Sequence, residues 1–175
     1  CGSAVKGDDG QYHLFYSRWP RALGHKAWVT HSEVAHAVSD SPFGPWRYRG
    51  VALPPRGTNY WDGSCTHNPT VLRMAGKFYL YYMGNYGDGE ARAPLNWDHR
   101  NRQRIGVAVS DTPDGPWQRF GEPVLDVSAD TNAPDALVVA AEDNVQVTIF
   151  VQIGNGDLSR CAVHEQLRAP VDRLS

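Results

Sequence analysis

Three stretches of the chain carry most of the side chains that could bind or transform a ligand. They span Arg18–Glu33, Ala52–Asn68 and Gly84–Arg104. Tryptophan rings can stack on the apolar faces of sugar rings, while Arg, His, Asn and carboxylate groups hydrogen-bond to hydroxyl groups. The mixture therefore predicts a carbohydrate ligand, and the candidate substrate-binding residues are Arg18, Trp19, His25, Trp28, Trp61, Asn68, Trp97 and Arg100.

Four side chains are candidates for catalysis by proton transfer or nucleophilic attack. Glu33 and Asp62 are carboxylates within these stretches, His67 can exchange a proton near neutral pH, and Asp135 lies further along the chain where another strand could begin. Structural roles are open as well. Asp62 precedes a glycine and could be a turn residue, Glu33 could be a rim charge, and His67 could make a structural hydrogen bond.

The sequence lacks the motifs of the common metal, phosphate and nucleophile sites. The spacings of His25, His31 and His99 match no standard zinc-ligand pattern, and Cys1, Cys65 and Cys161 form no CxxC pair. The chain contains no phosphate-binding glycine loop, no GxSxG turn and no HExxH helix. We therefore expect no required cofactor and no metal held by these residues.

An internal repeat indicates how the candidate residues are positioned. Ser32–Trp46 and Gln103–Trp117 are identical at eight of 15 positions, and both end in Gly-Pro-Trp. Gly10–Tyr16 and Gly76–Tyr82, which precede them, also match in order. A tandem repeat of this kind is typical of architectures built from one supersecondary unit.

Each repeat unit predicts four antiparallel strands. Pro and Gly in the segments before each Gly-Pro-Trp favour tight turns between the third and fourth strands. Four-stranded units in tandem are typical of β-propeller blades, whereas a β-sandwich would not require this period. The predicted strands are Ser3–Lys6, Gln11–Ser17, Val34–Val38 and Trp46–Val51, then Thr70–Met74, Lys77–Met83, Ile105–Val109 and Trp117–Gly121.

The fold class is therefore predicted as all-β, with about two complete blades of a larger propeller. Two blades cannot close a ring, so the chain is expected to be part of a longer domain. We assign residues 1–140 to a partial propeller, and residues 141–175 to a divergent third blade or a poorly ordered tail. In this topology the three stretches that carry the candidate residues emerge on one face, near the ring axis.

Composition narrows the possible partners. The chain has 175 residues with 17 basic and 19 acidic side chains, which gives no reason to propose nucleic acid or an anionic membrane as a partner. No apolar run approaches the roughly 20 residues of a membrane helix. The sequence begins with neither a signal peptide nor an initiator Met, so we expect a processed chain or a fragment. The oligomeric state is not predicted.

The segments His67–Val71 and Gly76–Tyr82, with Ala37–Trp46 and its repeat Ala108–Trp117, resemble the five-bladed propeller glycoside hydrolases that include families 43 and 32. The resemblance covers the chain from about the N-terminus to Asp126. It implies hydrolysis of an oligo- or polysaccharide by carboxylates in a central pocket, with an Asp that adjusts the pKa of the acid.

The same resemblance implies a secreted or periplasmic protein and leaves room for a structural ion at the propeller axis. Relatives commonly have Asp-Pro at the start of an inner strand, where this chain has Asn68-Pro69. Their essential acid often lies in a later blade. The main competing function is a non-catalytic carbohydrate-binding propeller, and the third is a structural or protein-interaction propeller.

Overall fold

The computed structural model describes residues 2–126, 136–140 and 147–151. Two four-stranded antiparallel sheets follow one another along the chain, each with its strands in sequence order. The first contains β1 (Gly2–Lys6), β2 (Tyr12–Arg18), β3 (Glu33–Ser39) and β4 (Arg47–Leu53), and the second contains β5 (Cys65–Met74), β6 (Lys77–Asn85), β7 (Arg104–Ser110) and β8 (Gln118–Arg119). The predicted pair of four-stranded β units is confirmed.

The helical segments are short and lie in the long connections. The connection from β2 to β3 holds two 3₁₀ turns, Arg21–Leu23 and His25–Ala27, followed by helix α1 (Trp28–His31). The connection from β6 to β7 holds helix α2 (Trp97–Asn101). No helix within the described ranges is long and apolar enough to cross a membrane.

The two Gly-Pro-Trp turns adopt the same conformation. Gly44 and Gly115 have φ values of 85° and 91°, a region that glycine enters without steric cost, and a cis peptide bond follows each. Each glycine N–H donates to the carbonyl oxygen three residues earlier, at 3.0 and 3.1 Å. The sequence repeat is therefore also a repeat of backbone geometry.

The main apolar core lies between the two sheets, in a layer that we call the seam. Phe15, Val34 and Leu53 enter it from the first sheet, and Leu80 and Tyr82 from the second. Strand β5 contacts β1, β2 and β3 of the first sheet. Burial of these side chains against one another gives the pair of blades its hydrophobic stabilisation.

Strand β5 begins at Cys65, earlier than the Thr70 predicted from the sequence. The register of β5 against β6 shifts between His67 and Thr70, which is a β-bulge. Asn68 within the bulge has a φ of 49°, and Asn tolerates this left-handed region better than most residues. The strand therefore continues through Pro69 instead of beginning after it.

A further pair of strands, β9 (Ala136–Ala140) and β10 (Val147–Val151), is antiparallel. Strand β10 falls within residues 141–175, for which we predict a divergent third blade or a tail. That division of the chain stays a prediction.

Candidate functional site

The long connections share one edge of the two sheets, which we call the mouth. Strands β2, β4 and β6 end there, at Arg18, Leu53 and Asn85, while β3, β5 and β7 begin there. Helices α1 and α2 contact each other across it. Because the strands alternate in direction, the short turns lie at the opposite edge. The structure therefore gathers the three candidate stretches at one edge, as the strand order predicts.

A cleft of about 370 Å³ opens within the connection from β2 to β3. We call it the mouth cleft, and it is lined by Arg18, Trp19, Pro20, His31 and Glu33. Arg18 and Glu33 face each other because they are register partners at the ends of β2 and β3. The site thus contains one cation, one carboxylate, an indole and an imidazole.

The Arg18–Glu33 ion pair sets the charge state of the mouth cleft. Arg18 Nε lies 2.8 Å and Nη2 2.6 Å from the same oxygen, Glu33 Oε1. The hydrogen bond with Glu33 raises the pKa of Arg18 above its ordinary value. The Glu33 side chain is 28% exposed, and both contacts fall on Oε1, which leaves Oε2 outside the ion pair with Arg18.

Trp19 and His25 are held beside the cleft by local contacts. Trp19 Nε1 donates to the carbonyl oxygen of Gly24 at 3.2 Å, and the Trp19 and His25 rings lie edge to face at 5.8 Å. His31, which lines the cleft, contacts Thr30 Oγ1 through Nδ1 at 2.8 Å. The indole of Trp19 is half-buried, so part of its surface remains open for stacking.

Asp62 is placed differently from the other candidate carboxylate. Its side chain is fully buried. Arg56 Nε contacts Oδ1 at 2.5 Å, while Tyr82 Oη and Arg119 Nη1 donate to Oδ2 at 2.8 and 3.1 Å. A catalytic carboxylate needs an oxygen within reach of substrate, and both oxygens of Asp62 are occupied. These described contacts are those of a structural carboxylate, and the catalytic role of Asp62 stays a prediction.

Trp61, adjacent to Asp62, packs in the seam. Its ring stacks on Tyr82 with centroids 5.5 Å apart. Gly84 and Gly106 leave room for it, since a Cβ atom on either glycine would lie within 2.8 Å of the indole. The indole therefore does not line the mouth cleft predicted to bind sugar, and its described contacts are inter-blade packing.

Glu33 and Asp62 lie on opposite sides of the first sheet. Val34 points into the seam, so its neighbour Glu33 points away from it because side chains alternate along a strand. Asp62 lies within the seam, against Tyr82 of the second sheet. The structure therefore does not bring these two carboxylates together as a catalytic pair.

Trp28, His67 and Asn68 meet where α1 covers the start of β5. The Trp28 and His67 rings lie edge to face at 5.2 Å, and His67 is 1% exposed. The Asn68 N–H donates to Ser17 Oγ at 2.8 Å, and its side-chain amide contacts Met83 Sδ at 3.4 Å. Asn68 thus suits this position because it tolerates the left-handed backbone conformation of the bulge. The catalytic role of His67 stays a prediction.

Helix α2 presents the candidates from the second blade. Trp97 is 57% exposed, and the guanidinium of Arg100 lies 5.2 Å from its ring centroid. The side chain of Asn96 caps the helix by accepting from the His99 N–H at 3.2 Å. Trp97 is therefore exposed at the mouth with Arg100 beside it, and neither residue lines the mouth cleft. Asp135 lies outside the described residues.

A buried polar network that the sequence did not predict joins the two long connections. The Gly89 N–H donates to His99 Nε2 at 2.9 Å, so His99 Nδ1 carries the proton and donates to Asn85 Oδ1 at 2.9 Å. Asn85 Nδ2 then donates to the carbonyl oxygen of Val29 at 2.8 Å. Burial lowers the pKa of His99, which keeps the imidazole neutral in this role. The only sequence signal was the position of Asn85 at the end of a strand.

Comparison with solved structures finds similar folds among glycoside hydrolases. A family 43 β-xylosidase/α-arabinofuranosidase from a compost microbial metagenome matches with a TM-score of 0.55 and 24% identity, over 86% of this chain and 40% of the enzyme. A family 43 enzyme from Xanthomonas citri, solved with xylose, matches with a TM-score of 0.56 and 23% identity, over 86% of this chain and 38% of the enzyme.

A family 117 glycoside hydrolase from the marine bacterium Zobellia galactanivorans matches with a TM-score of 0.56 and 20% identity, over 89% of this chain and 52% of the enzyme. No protein-family model matches the sequence. No curated protein matches it either. The chain spans roughly two fifths to one half of the length of these enzymes. The likeness establishes the fold: the two sheets are blades of a β-propeller of the kind found in glycoside hydrolases.

Proposed function

We propose that the protein is a glycoside hydrolase that cleaves an oligo- or polysaccharide, and that the mouth cleft binds part of the sugar. The observation that carries this proposal is the likeness of both blades together, over 86% of the chain, to glycoside hydrolases of family 43. The composition of the mouth cleft supports it, because an indole beside a charged hydrogen-bonding pair suits a sugar ring.

Glu33 is the carboxylate that we assign to the reaction. Arg18 holds one of its oxygens, which fixes the carboxylate group while the other oxygen stays outside the ion pair. Trp19 offers a stacking surface, and His31 a further hydrogen-bonding group. Acid–base hydrolysis of a glycosidic bond needs two carboxylates and water, so the proposal requires a second carboxylate and no cofactor. Asp135 stays a candidate for that second carboxylate.

The substrate that we propose is a glycan containing pentose units. The Xanthomonas citri enzyme was solved with xylose, and the compost enzyme with xylotriose. A neutral sugar is compatible with the mouth cleft, since the charge of Arg18 is already balanced by Glu33. Xylo-oligosaccharides and arabino-oligosaccharides are therefore the first members of a substrate panel.

The test is release of reducing sugar from that panel by the protein expressed from its full reading frame. Glu33→Gln preserves the shape of the side chain and removes its capacity to transfer a proton, so kcat should fall by about 10²–10⁴-fold. Glu90→Gln, at an exposed position in the connection from β6 to β7, is the matched control and should retain activity. Equal activity of wild type and Glu33→Gln would remove Glu33 from the mechanism.

A non-catalytic carbohydrate-binding propeller is the second candidate. The observation in its favour is that the mouth cleft contains a single carboxylate among the described residues, while Asp62 is enclosed in the seam. Calorimetric titration of the wild-type protein with the same oligosaccharides separates the two functions. Binding with no release of reducing sugar from any member of the panel would favour the second.

A further inference from the structure

A second cluster of chemically capable side chains lies at the edge of the sheets opposite the mouth. We call it the distal cluster. His13 on β2 and His36 on β3 are both buried, and Asp114 reaches them from the turn between β7 and β8. Asp9, in the turn between β1 and β2, and Arg49 on β4 complete the cluster. The short turns define this edge, so the distal cluster is separate from the mouth cleft.

The hydrogen bonds of the distal cluster fix where its protons lie. Asp9 is an acceptor when ionised, and its two oxygens lie 3.2 Å from His13 Nε2. His13 therefore donates through Nε2, and its Nδ1 holds a lone pair. That lone pair accepts the proton of His36 Nε2, 2.9 Å away. One proton thus lies between the two imidazole nitrogens, and the Asp9 carboxylate fixes the outer ring.

The shared proton occupies a position that a metal ion could take. Zinc–nitrogen bonds of about 2.0–2.1 Å at tetrahedral angles place two ligand nitrogens about 3.3 Å apart. The 2.9 Å between His13 Nδ1 and His36 Nε2 would therefore have to widen by about 0.4 Å. Because the ring centroids lie 5.1 Å apart, nearly in line with these two nitrogens, both rings would also have to turn so that their lone pairs converge on the metal. When a metal ion replaces the proton on His36 Nε2, that proton can move to His36 Nδ1. Metal binding therefore requires no net loss of a proton from the two histidines.

Asp114 offers the third ligand. One donor atom from each of His13, His36 and Asp114 lies within 4.8 Å of the other two. The Asp114 side chain is 39% exposed and belongs to a surface turn, so it can close the remaining distance. Asp9 on the far nitrogen of His13 supplies the carboxylate–histidine arrangement that orients metal-binding imidazoles.

The site is accessible to an ion from solvent. A cleft of about 350 Å³, lined by His36, Arg49, Asp114 and Trp117 among others, connects it to solvent. Arg49 opposes a cation, since its Nε lies 3.1 Å from Asp114 Oδ1.

We infer that His13, His36 and Asp114 form a binding site for a divalent first-row transition metal such as zinc, with water as a fourth ligand. Two nitrogens and a carboxylate oxygen suit zinc better than calcium or magnesium, which prefer oxygen ligands. The metal connects β2 and β3 of the first blade to a turn of the second. It therefore stabilises the seam, because a ligand that binds only the folded state raises stability.

The experiment titrates zinc chloride into the protein expressed from its full reading frame, followed by calorimetry and by melting temperature. Cys1 and Cys161 are replaced by Ser in every protein compared, so that these thiols add no site. We expect one zinc equivalent that raises the melting temperature. His36→Gln should abolish this equivalent, and Asp114→Asn should weaken it about 10-fold or more.

Two further variants separate a built site from adventitious binding. Arg49→Gln removes the competing cation and should tighten zinc binding several-fold. His25→Gln removes an exposed histidine at the mouth and should leave the affinity unchanged. His36→Gln changes a buried side chain and could also impair folding. Asp114 lies in a surface turn, so Asp114→Asn tests the metal site without this effect. No saturable binding, or equal binding by wild type, His36→Gln and Asp114→Asn, would overturn the inference.

Discussion

The seam and the mouth cleft each contain a carboxylate paired with arginine, and the two pairs differ in what surrounds them. Asp62 in the seam is fully buried and is bonded to two guanidinium groups and a phenol. Glu33 in the mouth cleft is part-exposed and pairs with Arg18 through one oxygen. The same pairing therefore holds the connection between the blades against the second sheet in one place, and leaves a part-exposed carboxylate in the other. Burial, more than residue type, decides which role a carboxylate has.

The sharpest test of this contrast is to remove each carboxylate. Asp62→Ala should lower the free energy of unfolding by about 2–4 kcal/mol, because it removes a buried anion from two partly buried guanidinium groups and from the Tyr82 hydroxyl. Glu33→Ala should cost about 1 kcal/mol or less, since exposed ion pairs contribute little. Urea denaturation of both variants measures the difference. Similar losses of unfolding free energy in Asp62→Ala and Glu33→Ala would show that burial does not distinguish the two carboxylates.

A pH series tests whether protonation of His36 lowers the stability of the folded chain. The pKa of His36 in the folded chain, about 4, lies below its ordinary value of 6.5, mainly because of burial. The unfolded chain therefore takes up the proton first as the pH falls. The stability that depends on neutral His36 is complete above pH 6.5 and is lost progressively toward about pH 4.

Melting temperatures at several values between pH 7 and 4 measure this loss. His36→Gln should flatten the profile in that window, and His25→Gln, at an exposed position, should not. Some dependence should survive in His36→Gln, because burial also lowers the pKa of His99. An unchanged profile in His36→Gln would assign the pH dependence to other groups.

The blade architecture could be predicted because its signals are local and repeated. Each Gly-Pro-Trp segment needs a glycine at positive φ, and Gly44 and Gly115 both adopt it. The order of the matching segments within each repeat then predicted which strands form each sheet. The bulge at Asn68 escaped prediction, because Pro69 was interpreted as the start of a strand while the backbone passes through it.

The candidate site was predicted only in part, since the sequence does not show which side of a sheet a connection covers. Arg18, Trp19 and Glu33 were placed together because they flank one connection. The partners of Asp62 come from three different elements, Arg56, Tyr82 and Arg119, and only the packing of the connection between the blades onto the second sheet brings them together. The pairing of His13 with His36 also escaped prediction, since it depends on strand register.

The smallest expected change in the free energy of unfolding comes from steric crowding at Trp61. It tests whether the seam is as tightly packed as its contacts indicate. A Cβ atom on Gly106 would lie 2.4 Å from the Trp61 ring, so Gly106→Ala must push the indole aside. Overpacking of this kind typically costs about 1–3 kcal/mol. Gly121→Ala is the matched control, because a Cβ atom there meets nothing within 4 Å. Urea denaturation should show a loss in Gly106→Ala alone. If both variants unfold like the wild type, Trp61 has room to move, and its indole is then free to serve the mouth as a sugar-stacking surface after all.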